Sequence, residues 1–184
     1  MLAADLGADF LGFIFAESRR RVDAETVRSI LRRLPSGPVT VGVFMDQPLD
    51  FIREVMQHTQ LNSIQLHGSE SIGFRRSLLW PVIKRIHVHD GASLESIQNQ
   101  MARFPDADYL VDPGAGDGKT FDWSVLRGLK TPYILAGGLH PGNVSEAVRL
   151  LRPYGVDVSS GVESEPSRKD PIKLKRFIEE VQCQ

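Results

Sequence analysis

The sequence contains a single cysteine, Cys183, which excludes an internal disulfide and a zinc site built from cysteine thiolates. No apolar run is long enough to span a bilayer, and the first residues lack the basic-then-apolar pattern of a signal peptide. Neither sign of charge dominates, because 22 basic and 23 acidic side chains leave a net charge of −1. We therefore expect no nucleic-acid partner, no membrane association and a cytoplasmic location.

What the chain does have is an ordinary globular composition. Hydrophobic residues make up 41% and charged residues 24% of its 184 residues, which is enough to build a sizeable core. No linker, composition shift or low-complexity tract interrupts it. We predict one domain over residues 1–184.

Short apolar runs alternate with amphipathic helical patterns along the chain. Strands are predicted at residues 9–15, 39–44, 63–66, 82–86, 109–111, 133–135 and 156–158. Helices are predicted at residues 1–6, 24–34, 48–58, 69–79, 93–104, 122–129, 141–151 and 171–182. Such alternation implies right-handed βαβ units and a parallel sheet. A (β/α) barrel and an open doubly wound sheet both satisfy it, and polar residues after nearly every strand favour the barrel.

Two small-residue turns follow consecutive strands near the C-terminus. One contains Gly137 and Gly138, and the other contains Ser160 and Gly161. Glycine lets the backbone approach a ligand closely, and backbone N–H groups before a helix attract anions. Paired turns of this kind after the last two strands of a barrel predict a phosphate site. The alternative is that these glycines only allow tight turns.

Asp112 ends an apolar strand, and a glycine-rich segment at residues 113–118 follows it. Removing a carboxyl group from water raises its pKa, which would make Asp112 a usable general acid near neutral pH. The glycine-rich segment resembles an active-site lid. The alternative role for Asp112 is a loop or helix cap.

Other polar residues at strand ends carry weaker predictions. His67 could contact a ligand or a neighbouring backbone group, and Asp157 could orient a substrate or hold its own turn. One arginine of the run at residues 19–21 could bind a carboxylate or phosphate, although charge runs are usually solvated. His87 and His89 alternate on one strand end, but no third ligand at convincing spacing supports a metal site.

The motifs together resemble one enzyme family, phosphoribosylanthranilate isomerase. They run in order through the chain: GADFLGF at residues 7–13, VGVF at 41–44, QLHG at 65–68, GKTFDW at 118–123, AGGL at 136–139 and VDVSSGVE at 156–163. The resemblance implies a (β/α)₈ TIM barrel that acts in tryptophan biosynthesis. It also implies a phosphorylated small-molecule substrate and no metal or organic cofactor.

The resemblance also assigns roles. The family converts N-(5′-phosphoribosyl)anthranilate to 1-(2-carboxyphenylamino)-1-deoxy-D-ribulose 5-phosphate by an Amadori rearrangement. Asp112 matches the general acid, and His67 matches a residue on the anthranilate side of the substrate. Arg20 best matches a substrate-contacting arginine, with Arg19 and Arg21 as neighbouring alternatives. The remaining matches are Asp157 near the substrate and Gly137, Gly138, Ser160 and Gly161 around the phosphate.

The chain departs from the family at its start. The family begins with a strand carrying Lys-Ile-Cys-Gly-Ile-Thr, whose cysteine is the general base, and no segment of this sequence corresponds to it. We expect the first strand and part of the first helix to be absent from these residues, and the chain as given to be impaired as an enzyme.

Two alternatives to the isomerase stay open. One is a catalytically silent phosphosugar-binding barrel or interaction domain. The other is a different phosphate-binding barrel enzyme, but the several lysines and glutamates of an indole-glycerol-phosphate synthase and the metal ligands of a sugar-phosphate epimerase are not visible. The sequence leaves a monomer and a homodimer both open.

Overall fold

The computed structural model describes residues 1–114 and 121–183. The chain divides into two compact units, Met1–Lys84 and Arg85–Gln184, and each is described by itself. The single domain expected from the sequence therefore stays a prediction. In the part of the chain that is described, no helix has the length and apolar character needed to cross a membrane.

The first unit contains three complete strands, the start of a fourth, and four helices. In chain order they are α1 (Leu2–Asp5), β1 (Phe10–Ile14), α2 (Ala24–Leu31), β2 (Val39–Phe44), α3 (Leu49–Thr59), β3 (Ser63–Leu66), α4 (Ile72–Arg76) and β4 (Val82–His87), which runs on into the second unit. The strands pair in parallel in the order β1-β2-β3-β4. The predicted strands of this unit are confirmed, whereas α4 is shorter than the predicted helix.

The core of the first unit forms where apolar faces of the helices cover the parallel strands. Phe44 and Ile64 are fully buried strand residues, and Phe15 stacks on Phe44 with ring centroids 5.3 Å apart.

Asp23 caps α2, because its Oδ1 accepts a hydrogen bond of 2.7 Å from the Thr26 N–H. That backbone bond lowers the pKa of the exposed Asp23 carboxyl.

The second unit begins with the end of β4 and contains three more parallel strands. In chain order its elements are α5 (Leu94–Ala102), β5 (Asp108–Asp112), a 3₁₀ helix (Trp123–Leu126), β6 (Ile134–Leu135), α6 (Val144–Leu151), β7 (Gly155–Val156), a second 3₁₀ helix (Ser160–Val162), β8 (Glu163–Glu165), β9 (Arg168–Lys169) and α7 (Pro171–Gln182). β5, β6 and β7 pair in parallel in that order. The α/β class with parallel strands is thus confirmed.

Three elements of the second unit differ from the sequence-based expectations. The predicted helix at residues 122–129 is a 3₁₀ turn, and the helix expected from Pro141 begins at Val144. The antiparallel β8–β9 hairpin was not predicted. Its strands are short, polar and largely exposed, so they lack the apolar alternation by which a strand is recognised.

Candidate active site

Asp112 is the last residue of β5 and is buried, with 8% of its surface exposed. Its backbone carbonyl accepts a hydrogen bond of 3.1 Å from the Val88 N–H, just after β4. Its carboxylate Oδ2 lies 3.3 Å from Nε of Arg85. Both side chains of this ion pair are 12% exposed, so water screens the pair only partly.

The Arg85 guanidinium changes the chemistry predicted for Asp112. Desolvation favours a neutral carboxyl group, as expected from the sequence, but a neighbouring positive charge favours the ionised form. Arg85 lies within β4, and nothing in the sequence indicates that this strand arginine pairs with Asp112. At Asp112 these two effects act in opposite directions.

The first residues after Asp112 pack against β4. The Pro113 carbonyl oxygen lies 2.8 Å from Nε2 of His87. Gly114 has a positive φ of 91°, and a Cβ built on it would lie 3.3 Å from Cζ of Arg85. A side chain there would displace the guanidinium, which explains the glycine. Residues 115–118 of the predicted lid lie outside the described residues.

The turn at residues 136–139, called the β6 turn here, is built on two glycines with positive φ, 90° at Gly137 and 64° at Gly138. A Cβ on Gly137 would lie 2.5 Å from Cγ of Pro113 and 3.3 Å from Oδ1 of Asp112. This turn therefore lies beside the Asp112 carboxylate. Asn143 stabilises it, because its Nδ2 donates to the Gly138 carbonyl at 3.0 Å.

The turn at residues 159–162, called the β7 turn here, contains the second 3₁₀ helix. A Cβ built on Gly161 would overlap the carbonyl oxygen of Leu139 and lie 2.9 Å from its carbonyl carbon. Only glycine allows the two backbones to come this close. The β6 and β7 turns are therefore in direct contact.

Asp157 lies directly after β7, and its side chain is exposed. Its backbone N–H donates a hydrogen bond of 2.8 Å to the Leu135 carbonyl, which extends the pairing of β6 with β7.

His87 and His89 form an edge-to-face pair with ring centroids 6.3 Å apart. Within residues 1–114 and 121–183, no group of three His, Cys, Asp or Glu side chains is placed to hold a metal ion.

Arg20 and His67 belong to the first unit, where each follows the C-terminal end of a parallel strand. Arg20 is half-buried, whereas Arg19 and Arg21 are exposed. This difference favours Arg20 as the inward-facing member of the run. Nδ1 of the half-buried His67 lies 3.1 Å from Nε2 of Gln65. The backbone N–H of His67 donates to the Phe44 carbonyl at 2.8 Å.

Three charged residues surround Gly68 in what we call the Asp46–Glu70–Lys84 cluster. Lys84 Nζ donates to the Gly68 carbonyl and to Oε2 of Glu70, each at 2.6 Å. Glu70 Oε1 accepts the N–H groups of Asp46 at 3.0 Å and Gly68 at 3.2 Å. Asp46 Oδ1 accepts the Ser69 N–H at 2.7 Å. The cluster therefore fixes the backbone directly after His67.

Burial and hydrogen bonding act in opposite directions on the Glu70 carboxyl of this cluster. Burial by itself raises the pKa of the Glu70 carboxyl, but the Asp46 N–H and the Lys84 ammonium more than offset it. The pKa of Glu70 is accordingly lowered from its usual value of 4.5. The sequence does not reveal this pairing, because lysine and glutamate are normally exposed and these two lie 14 residues apart.

The second unit thus brings together five of the predicted site residues: Asp112, Gly137, Gly138, Ser160 and Gly161. The other three are described where they lie: Asp157 is exposed at the end of β7, and Arg20 and His67 are in the first unit. Sequence reasoning missed Arg85 and Asn143 as contributors to the site. The signal that could have identified Asn143 is its residue type, because asparagine side chains directly before a helix often bond to nearby backbone groups.

Sequence comparison identifies relatives of the chain over almost its full length. Residues 1–180 match the family model for N-(5′-phosphoribosyl)anthranilate (PRA) isomerase. The N-(5′-phosphoribosyl)anthranilate isomerase of Desulforudis audaxviator is 44% identical over 183 residues, which cover 96% of this chain and 88% of that protein. The isomerase of Pelobacter propionicus is 42% identical over 186 residues, covering 97% of this chain and 87% of that protein.

Solved structures give the same result. A phosphoribosyl anthranilate isomerase in complex with reduced 1-(o-carboxyphenylamino)-1-deoxyribulose 5-phosphate matches with a TM-score of 0.88 and 34% identity, over 100% of this chain and 92% of that one. The isomerase of Thermus thermophilus matches with a TM-score of 0.89 and 35% identity, over 99% and 92% of the two chains. With an acidic strand end beside two contacting glycine turns, and relatives along its whole length, the chain belongs to the N-(5′-phosphoribosyl)anthranilate isomerase family.

Proposed function

We propose that this chain carries out the reaction of its family. N-(5′-phosphoribosyl)anthranilate is converted to 1-(2-carboxyphenylamino)-1-deoxy-D-ribulose 5-phosphate, a step of tryptophan biosynthesis. The observation that carries the proposal is the position of Asp112 beside Gly137, together with the contact between Gly161 and the Leu139 carbonyl. These contacts bring a candidate proton donor and two candidate phosphate-binding turns to the ends of neighbouring strands.

The β6 and β7 turns would hold the substrate phosphate. Backbone N–H groups at such turns bind phosphate oxygens without a charged side chain. Gly137, Gly138 and Gly161 leave the backbone uncovered, so a phosphate can approach it closely. Ser160 adds a hydroxyl group and its own N–H to the same site.

Asp112 would act as the general acid. It gives its proton to the furanose ring oxygen, the bond from that oxygen to C1′ breaks, and the nitrogen lone pair forms a Schiff base. A general base then removes the proton from C2′. The negative charges of the bound substrate would favour the protonated form of Asp112, which is the form that donates the proton.

Arg20 is proposed as a cationic contact to the substrate, and His67 as a residue on its anthranilate side. Asp157 is proposed as a polar neighbour of the substrate. These roles follow from the family motifs and from the half-buried positions of Arg20 and His67 at strand ends. The (β/α)₈ barrel likewise stays a proposal, supported by the solved relatives that match the whole chain.

The general base is the point at which these 184 residues differ from the family pattern. Cys183 is exposed and directly follows α7, so it lies at the end of a helix and not at the end of a parallel strand. No other cysteine is present in the sequence. We therefore propose that the 184-residue polypeptide binds product-like ligands but turns substrate over slowly.

Turnover assays test this function directly. The 184-residue chain and a version preceded by a strand carrying Lys-Ile-Cys-Gly-Ile-Thr are compared by chromatography of the product. In the version with the cysteine strand, we expect Asp112→Asn to lower kcat by about 10²- to 10⁴-fold, because the amide cannot donate the proton. Asp108→Asn is the matched control, because Asp108 lies exposed at the opposite end of β5. It should leave kcat unchanged.

Two results would contradict the proposal. One is no turnover by the version with the cysteine strand, and the other is full activity of Asp112→Asn. Tight binding of the reduced product without turnover would instead favour the silent phosphosugar-binding protein.

A relative from Thermotoga maritima is a dimeric isomerase. The sequence leaves a monomer and a homodimer open for this chain, and sedimentation would distinguish them.

A further inference from the structure

Segment 168–173 is attached to the β7 turn by side chains and backbone. Nζ of Lys169 donates to the Ser159 carbonyl at 2.7 Å and lies 3.3 Å from Oε1 of Glu163. The Asp170 N–H donates to the Val162 carbonyl at 2.8 Å, and Lys173 Nζ donates to the Glu163 carbonyl at 2.8 Å. The polar β8–β9 hairpin, which has no assigned role, therefore supports the turn proposed to bind phosphate.

The bond from Lys169 to Ser159 has a consequence for the next residue. The Ser159 carbonyl and the Ser160 N–H belong to one planar trans peptide group, so they point in opposite directions. A carbonyl directed at the Lys169 ammonium therefore directs the Ser160 N–H away from the hairpin. The Glu163 carboxylate balances the charge of the Lys169 ammonium, since it lies 3.3 Å away with only 6% of its side chain exposed.

We infer that Lys169 is a positioning residue of the phosphate site, which orients the Ser160 N–H as a donor to the phosphate group of the ligand. This inference rests on the proposed function, because it assumes that the β7 turn binds phosphate. Lys169 acts through the peptide group and does not itself need to touch the ligand. The arrangement combines a charged hydrogen bond to the turn with a buried carboxylate that holds the lysine in place.

The test measures phosphate binding by the 184-residue chain and its variants. Inorganic phosphate and the reduced product are titrated by calorimetry, and the Ser160 amide is followed by ¹⁵N–¹H NMR. We expect Lys169→Met to weaken both ligands by about tenfold, the effect of losing one charged hydrogen bond. The Ser160 amide resonance should shift in the free Lys169→Met variant, since its peptide group is no longer held.

Two further variants separate positioning from general stability. Lys169→Arg keeps a cationic donor and should recover most of the affinity. Lys175→Met is the matched control, because Lys175 is an exposed residue of α7 whose ammonium lies 3.7 Å from the carboxylate of Glu179, four residues on along the same helix. It should bind like the parent. If Lys169→Met lowers the melting temperature markedly, Lys169→Leu, which also lacks a donor, replaces it in the comparison.

The outcomes distinguish this inference from the proposed function. Parental affinity in Lys169→Met, or in Lys169→Leu where that variant replaces it, with an unchanged Ser160 resonance, would overturn the inference and leave the proposed function standing. Failure of the parent chain to bind either ligand would overturn the phosphate site itself, and the inference with it. Weaker binding by Lys169→Met that Lys169→Arg restores would support both.

Discussion

Lys84→Met is expected to lower the free energy of unfolding by about 3–5 kcal/mol, because it leaves the Glu70 carboxylate buried without its cation. Lys84 is 4% exposed and donates at 2.6 Å to both Glu70 and the Gly68 carbonyl. Methionine fills a similar volume but supplies no donor. Urea unfolding of the parent and the variant, followed by circular dichroism, measures the difference.

Two comparisons make the Lys84→Met experiment specific. Lys84→Met/Glu70→Gln should be more stable than Lys84→Met alone, because the neutral amide still accepts the Asp46 N–H and no charge is left buried. Lys175→Met removes an exposed lysine and should change stability by less than about 0.5 kcal/mol. A loss below about 1 kcal/mol in Lys84→Met would contradict the importance of the cluster.

The same cluster should make the parent sensitive to acid. The folded chain lowers the pKa of Glu70 below 4.5, so the fold binds the ionised form better than the protonated form. Its contribution is therefore complete above the unfolded pKa and is lost as the pH falls through the lower folded pKa. Urea midpoints from about pH 7 to about pH 3 should fall more steeply in the parent than in Lys84→Met/Glu70→Gln.

Gly161→Ala is expected to weaken binding of the reduced product by about 10²-fold and to cost about 1–3 kcal/mol of stability. A Cβ at this position would overlap the Leu139 carbonyl oxygen and lie 3.0 Å from the Cβ of His140. Backbone cannot yield as the end of a flexible side chain can, so the β6 and β7 turns must separate. Calorimetry with the reduced product measures the loss of affinity.

Gly155→Ala provides the matched control for Gly161→Ala. Gly155 lies in β7 of the same unit, and a Cβ on it would meet only Cγ1 of Ile134 at an ordinary 3.7 Å. This variant should bind the reduced product like the parent. Equal affinities for Gly161→Ala and Gly155→Ala would show that contact between the two turns is not needed for binding.

Local patterns in the sequence are sufficient to predict most of the fold. The apolar run ending at Phe44 is a strand as expected, because buried parallel strands are mostly apolar. The strand ending at Leu66 was also predicted, although Ser63 and Gln65 alternate with its apolar residues. The β8–β9 hairpin is invisible to such a pattern, since pairing and the charges of Glu163 and Lys169 hold it together rather than an apolar face.

Only part of the candidate site can likewise be predicted from local sequence patterns. Gly137 and Gly161 can be predicted because glycine is the residue type that a close backbone approach demands. The pairs Arg85–Asp112 and Lys84–Glu70 join residues 27 and 14 positions apart, and nothing in a residue's type tells which distant charge it meets. The roles of Arg20, His67 and Asp157 stay predictions, as do those of the phosphate-binding residues.

The ion pair at the end of β5 also affects how a charged ligand arrives. An isolated carboxylate next to Gly137 would repel an incoming phosphate dianion by about 3 kcal/mol at 5 Å for each unit of phosphate charge, with an effective dielectric constant near 20. The Arg85 guanidinium lies 3.3 Å from that carboxylate, measured from Nε, and its positive charge opposes this repulsion. Association of the phosphorylated ligand should therefore depend less on ionic strength than it would without this arginine.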